Sequence, residues 1–358
     1  MSESLIAREP AVTAEVTHAV TSHAVKSPAR RDVNRGEAGV RDRADLHVHL
    51  NGAIPLGVVR EILSDEATLL PGGFELGRDF VRRSPSPSLG YYLRPWQVLR
   101  LLPQKRSNLD RLTEAVFASF AENAVRFVEL RSSVLYLATL QRCSPPDALQ
   151  ALIESTGEAA ARHKIARGLV LTVTRGDRAS QDLATLVEAY QDLGRPSEVV
   201  GIDLAGDEEI DYPMDLPRQF RKAKDRFGLG VTIHAGETGR AGNILKAVED
   251  FGADRIGHGS AAGRDERLMD FLADNDVCVE VCPVSNRLTG ALSPDDVHPL
   301  IEFQRRGTPF VICSDNPGIH DRGLVDDHAE AVAEGLAEHE LDRQFETAKR
   351  YTFMKGLE

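Results

Sequence analysis

Ala44-Asp45-Leu46-His47-Val48-His49-Leu50 is a short, β-prone apolar run that carries two imidazoles two positions apart at its end. Successive strand side chains point to opposite faces, so His47 and His49 share one face and can reach one ion. Seven further runs follow, at residues 127–131, 169–174, 199–204, 231–234, 255–258, 277–281 and 310–313. Longer amphipathic stretches separate most of them, the pattern of parallel strands linked by crossover helices. Pro145–His163 and residues 181–193 read as helices, and residues 217–227 precede Gly228, a residue type that ends helices. The expectation is an α/β fold, a (β/α)8 TIM barrel, with its reactive groups where the strands end.

Residues 51–126 form the one connection far longer than a single helix, so a helical insertion after strand 1 is expected over the barrel mouth. Within it, residues 90–102 contain Tyr91, Tyr92, Leu93, Trp96 and Leu99, readable either as an apolar lid or as a helix packed against the barrel. Residues 1–43 show no periodicity, carry Pro10 and Pro28, and read as a disordered tail. A transit peptide is the alternative, opposed by Glu3, Glu9 and Glu15. Residues 44–358 then make one barrel domain, a size ordinary for that architecture.

The chain has 43 Lys+Arg against 55 Asp+Glu, a formal charge of -12, and no dense basic cluster. Such a surface repels phosphate backbones and anionic membranes, which points to a small-molecule substrate rather than nucleic acid or membrane. No run approaches the roughly 20 apolar residues of a membrane span, and the first residues lack a secretory core, so the cytoplasm is the default location. Cys143, Cys278, Cys282 and Cys313 are scattered without a C-x-x-C pair, and read as reduced, mostly buried small hydrophobes.

His234 ends the fifth run, His258 ends the sixth, and Asp315 follows the eighth. With His47 and His49, five metal-competent side chains end four strands of one barrel. Chance placement of a buried or surface histidine accounts for any one of these, and poorly for all together. Imidazole and carboxylate suit zinc, and a catalytic zinc keeps one position for water. The third and fourth strand ends lack a lysine to bridge two metals, which favours one zinc per chain. Glu237, three residues past His234, can face the pocket and shuttle protons if enclosure raises its pKa, or serve only as an acid near a helix N-terminus.

The motifs Asp45-Leu-His-Val-His-Leu-Asn-Gly, Asp203-Leu-Ala-Gly-Asp-Glu, His234-Ala-Gly-Glu, Arg255-Ile-Gly-His-Gly, Cys282-Pro-Val-Ser-Asn and Ser314-Asp-Asn-Pro lie in order over residues 45–317. Together they resemble the adenosine deaminase family of the amidohydrolase superfamily. The resemblance implies that His47, His49, His234 and Asp315 bind zinc, that Glu237 protonates purine N1, and that His258 orients the water attacking C6. It further implies substrate contacts from His49, Asn51, Gly206, whose N–H would hold N3, and Asn316.

Two positions depart from the family pattern. Asn51 stands where adenosine deaminases usually carry the Asp that contacts the sugar 5′ end, and Asn316 replaces a second Asp that meets purine N7. An amide NH2 can still donate to an N7 lone pair. Phe127-Val-Glu-Leu-Arg-Ser looks like the branch acting on N6-methyl-AMP. His320, in Gly318-Ile-His320, reads as a surface-loop residue, with a polar contact to the pocket as the alternative. The resulting expectation is deamination of adenosine or a modified adenine nucleoside at C6. The alternatives are deamination of N6-methyl-AMP, free adenine or another aminopurine, and, from another class, a catalytically silent nucleoside-binding protein.

Overall fold

The structure, a computed structural model, describes residues 41–357. Residues 1–40 of the expected tail lie outside the described residues, and Arg43, expected within it, already belongs to the first strand. Eight strands form one sheet in chain order. They are β1 (Arg43–His49), β2 (Val125–Ser132), β3 (Ala166–Thr174), β4 (Val199–Ala205), β5 (Gly230–Ala235), β6 (Arg255–His258), β7 (Cys278–Val281) and β8 (Phe310–Ile312). Every neighbouring pair from β1 to β8 is parallel.

The first and last strands meet through a bridge between Val48 and Asp315, with Asp315 N–H donating to His47 O at 2.8 Å and His49 N–H to Asp315 O at 2.9 Å. The expected (β/α)8 barrel is therefore the observed fold. Its strands are buried on both faces, which is why each reads as a near-continuous apolar run rather than an alternating one.

The helices follow local rules. Pro145–His163 starts where the Ser144 side chain accepts from Asp147 N–H and prolines occupy the first turn, and it ends in a left-handed Lys164. The helix Leu216–Phe227 stops at Gly228, whose φ of +69° suits glycine. At the bottom of the barrel Phe353 lies so close to Gly201 and Gly230 that a Cβ on either would sit 2.7 or 2.2 Å from its ring. That end is filled, and the open end is the mouth.

Between β1 and β2 lies the expected helical insertion, made of short helices and the long helix Arg106–Glu122. Among the described residues no helix is long and apolar enough to cross a membrane. All four cysteines are free, three of them buried.

Candidate functional site

His47 and His49 from β1, His234 from β5 and Asp315 after β8 each present one ligand atom, and the four atoms lie within 4.8 Å of one another. Parallel strands of a closed barrel all deliver their C-terminal ends to the same mouth, so residues far apart in sequence converge there. Two of the residues that turn in at this rim, His258 and Asp315, have left-handed φ values of +66° and +57°. Non-glycine residues pay strain in that region, and such strain gathers at functional sites.

Two of the three histidines are held from behind. His234 Nδ1 lies 2.9 Å from Asp203, and His47 Nδ1 lies 2.8 Å from Glu280, both partners fully buried. A carboxylate fixes the proton on Nδ1 and leaves Nε2 free to ligate. His47 Nε2 is buried without a hydrogen-bond partner. Burial alone would raise the Glu280 carboxyl, but Arg131 and Arg255 hold it well below the usual range and so keep it an acceptor. Asp315 Oδ2 accepts from Ser285 at 2.6 Å, while Oδ1 points at His49 Nε2 (3.4 Å) and His47 Nε2 (3.6 Å). Ligand atoms converging on one point, with His47, His234 and Asp315 pinned from the rear, are what a metal ion needs.

Glu237 and His258 stand beside this cluster, with a carboxyl oxygen 3.5 Å from His258 Nε2. Burial, with Asp315 and Glu208 adding, pushes the Glu237 carboxyl well above its ordinary value. Glu208 also anchors the segment, accepting from the backbone N–H groups of Gly236 and Glu237. Burial lowers the His258 imidazole to about 4. His258 Nδ1 is 3.1 Å from the side-chain amide of Asn286.

His49, His234, Glu237, His258 and Asp315 line a cavity of about 390 Å³ that also receives Asn51, Gly206 and Asn316. Both readings of residues 90–102 hold, since Tyr92, Leu93, Trp96 and Leu99 line the cavity as a lid and the same segment packs into the core through Tyr92, Val98, Leu99 and Leu102, whereas Tyr91 points outward. The Asn51 amide NH2 is turned to that lid, donating to Leu99 O (3.1 Å) and Leu102 O (3.4 Å). Asn316 donates to the Tyr92 hydroxyl at 3.1 Å.

His320 departs from the surface-loop expectation. It is 3 % exposed, and its Nε2 lies 2.7 Å from the Tyr92 hydroxyl, so it braces the lid from behind rather than lining the cavity. The reason is tertiary: the short helix Pro317–His320 packs under the insertion, which its own sequence does not announce. Glu280, Asn286 and His298 were not singled out by sequence reasoning either. A lone acid inside the apolar run Val277-Cys-Val-Glu-Val was the available signal for Glu280, Asn286 closes the motif Cys282-Pro-Val-Ser-Asn to which no role was given, and His298 had no signal beyond its residue type.

A parallel barrel with a metal-competent His/Asp cluster at its mouth, backed by carboxylates and flanked by a buried acid, is a metal-dependent amidohydrolase in its layout. The adenosine deaminase family model matches residues 42–356, and the chain belongs to that family. It is 31% identical over 294 residues to an adenosine deaminase of Clostridium acetobutylicum, covering 80% of this chain and 85% of that protein. Among solved structures, an amidohydrolase from Burkhoderia ambifaria with bound Zn aligns with a TM-score of 0.78 at 20% identity, over 91% of both chains. The Arabidopsis N6-mAMP deaminase MAPDA aligns with a TM-score of 0.72 at 24% identity, over 88% of this chain and 94% of that one. At those identities the two structures speak for the fold.

Proposed function

We propose that this chain is a zinc-dependent aminohydrolase, with one zinc per chain, that deaminates adenosine or a modified adenine nucleoside at purine C6. The observation that carries the reading is the buried pair Glu237 and His258 beside the cluster of His47, His49, His234 and Asp315, of which all but His47 line the same cavity. The relative from Clostridium bears the name of that activity, and the Burkhoderia structure holds zinc. The unpartnered Nε2 of His47 and the carboxylate-held rings fit a bound cation. A zinc ion held there supplies Lewis acidity that brings the pKa of water to about 7.

The chain's own residues do the rest. Glu237, kept protonated by burial, donates to ring N1 and leaves C6 electron-poor. His258 orients the water whose oxygen bonds to C6. The C6–N bond of the tetrahedral carbon then breaks; of the water's two protons one leaves with the amine as ammonia and the other returns Glu237 to its acid form, while the proton Glu237 gave stays on N1. Asn316 faces N7, the Gly206 N–H faces N3, His49 lies along the ring, and Asn51 stands at the sugar end, while Tyr92, Leu93 and Trp96 exclude water.

A second reading, an N6-substituted AMP as substrate, is favoured by Arg94 and Arg100, which bring positive charge to the cavity wall. Ammonia release by the zinc-loaded protein across adenosine, deoxyadenosine, N6-methyl-AMP and adenine, with methylamine release followed for N6-methyl-AMP, decides between them. Turnover of a nucleoside above all others supports the first reading, and turnover of the nucleotide supports the second. Binding without release of either amine from any of them overturns both and leaves a silent binder.

A further inference from the structure

Four buried groups stand in a row behind the cavity: the backbone N–H of Leu300, the ring of His298, the amide of Asn286 and the ring of His258. Leu300 opens the helix Leu300–Arg306, so its N–H has no partner within the helix and turns instead to His298 Nδ1 at 3.2 Å. A backbone N–H only donates, so Nδ1 accepts and carries no proton. Burial, with Arg287 adding, lowers His298 to about 3, so the ring is neutral and its single proton sits on Nε2.

That Nε2–H lies 3.2 Å from one end of the Asn286 amide and requires an oxygen there. A nitrogen at that end would force His298 to accept at both ring atoms, and a neutral imidazole has only one lone pair to offer. Amide oxygen and nitrogen are told apart by their partners rather than their shape. As placed, the amide sets Oδ1 3.1 Å from His258 Nδ1 and Nδ2 3.2 Å from His298 Nε2; the partners require the reverse, so the oxygen of Asn286 is assigned to His298 and its NH2 to His258 Nδ1. His258 is 1 % exposed and Asn286 and His298 are 0 % exposed, so the chain of bonds is sealed from bulk solvent.

We infer that Asn286 and His298, directed by the Leu300 N–H, are positioning residues that hold His258 in the tautomer with its proton on Nε2, so that the ring presents a hydrogen-bond donor to the cavity. Nε2 is the atom that faces Glu237. The consequence for chemistry rests on the deaminase reading: Nε2–H donates to one lone pair of the water oxygen and so aims the other at C6. In this tautomer Nε2 takes up no proton from that water.

The test is nitrogen NMR of the zinc-loaded protein labelled with 15N-histidine, with the His258 signals identified by their loss in His258→Gln. The expected spectrum has a bare Nδ1 and a protonated Nε2 on both His298 and His258. A proton on Nδ1 of His258 overturns the inference. In Asn286→Asp, carboxylate oxygens face both rings, so His258 should switch its proton to Nδ1 while His298 keeps Nε2–H. With the donor lost, kcat should fall roughly a hundredfold, the order expected when a reactant is held about 1 Å out of place, with KM little changed. An unswitched His258 in a folded Asn286→Asp, or a switch without loss of kcat, also overturns it. Should Asn286→Asp fail to fold, the spectrum of the unaltered protein decides alone. No ammonia from any aminopurine, together with the expected spectrum, would remove the deaminase reading and leave the tautomer standing.

Discussion

The Nε2 atoms of His49 and His234 face each other 3.1 Å apart, while His234 Nδ1 is held by Asp203 at 2.9 Å. With the His234 proton drawn to the carboxylate, its Nε2 lone pair is left directed at the centre of the cluster. A cation between the rings resolves that convergence. One zinc per chain is expected by elemental analysis, and His234→Ala should lose it. Two equivalents, or full occupancy in His234→Ala, would sink the assignment.

Because Asp203 and Glu280 set the orientation and basicity of His234 and His47, Asp203→Asn and Glu280→Gln should weaken zinc binding roughly 10–100-fold without removing a ligand. Competition against a chelator measures this. Glu280 also pairs with Arg131 and Arg255, so its variant should lose thermal stability as well, because each of two buried cations loses one of its two carboxylates and keeps only Asp203 or Glu129.

Glu237→Gln should keep zinc and lower turnover at least roughly a hundredfold, since general acid–base groups contribute about 10²–10⁴. Loss of metal with unchanged chemistry per bound zinc would give Glu237 a structural role instead.

The same residue should shape stability against pH in the metal-free protein. The folded-state pKa of Glu237 is raised, so its contribution is fully present below the unfolded carboxyl value of about 4.3 and is lost as pH rises toward the raised value. Gln mimics the protonated acid at every pH. Thermal melts should therefore show Glu237→Gln matching the parent near pH 4 and exceeding it increasingly toward neutrality. Parallel melting curves would show that the carboxyl ionises freely in the fold.

If Asn316 donates its remaining N–H to N7, a 7-deaza substrate should react more slowly by the value of a buried hydrogen bond, about 1–3 kcal/mol. Equal rates for the two compounds would refute the contact. Asn51→Asp places an acceptor against Leu99 O and Leu102 O, so it should loosen the lid and also disfavour 5′-anionic substrates. An unchanged substrate ranking would remove Asn51 from specificity.

The barrel was legible because strands buried on both faces must be apolar throughout, and that signal is local. Runs such as 255–258 and 199–204 match β6 and β4 to within a residue, and Pro145–His163 is bounded by its own capping residues. Parallel closure then obliges strand ends to share a mouth, which is how His47, His49, His234, His258 and Asp315 could be grouped without coordinates, while the resemblance narrowed the ligands to the four without His258. What packs behind them follows from no such period. The pairing of Asp203 with His234, of Glu280 with His47, and of Asn286 with both His258 and His298 depends on strand register and on which way each buried side chain turns. So does the burial of His320 against Tyr92, which joins two segments more than two hundred residues apart. Hydrogen-bond partnership across a closed barrel is a property of the folded geometry, and the tertiary structure alone decided it.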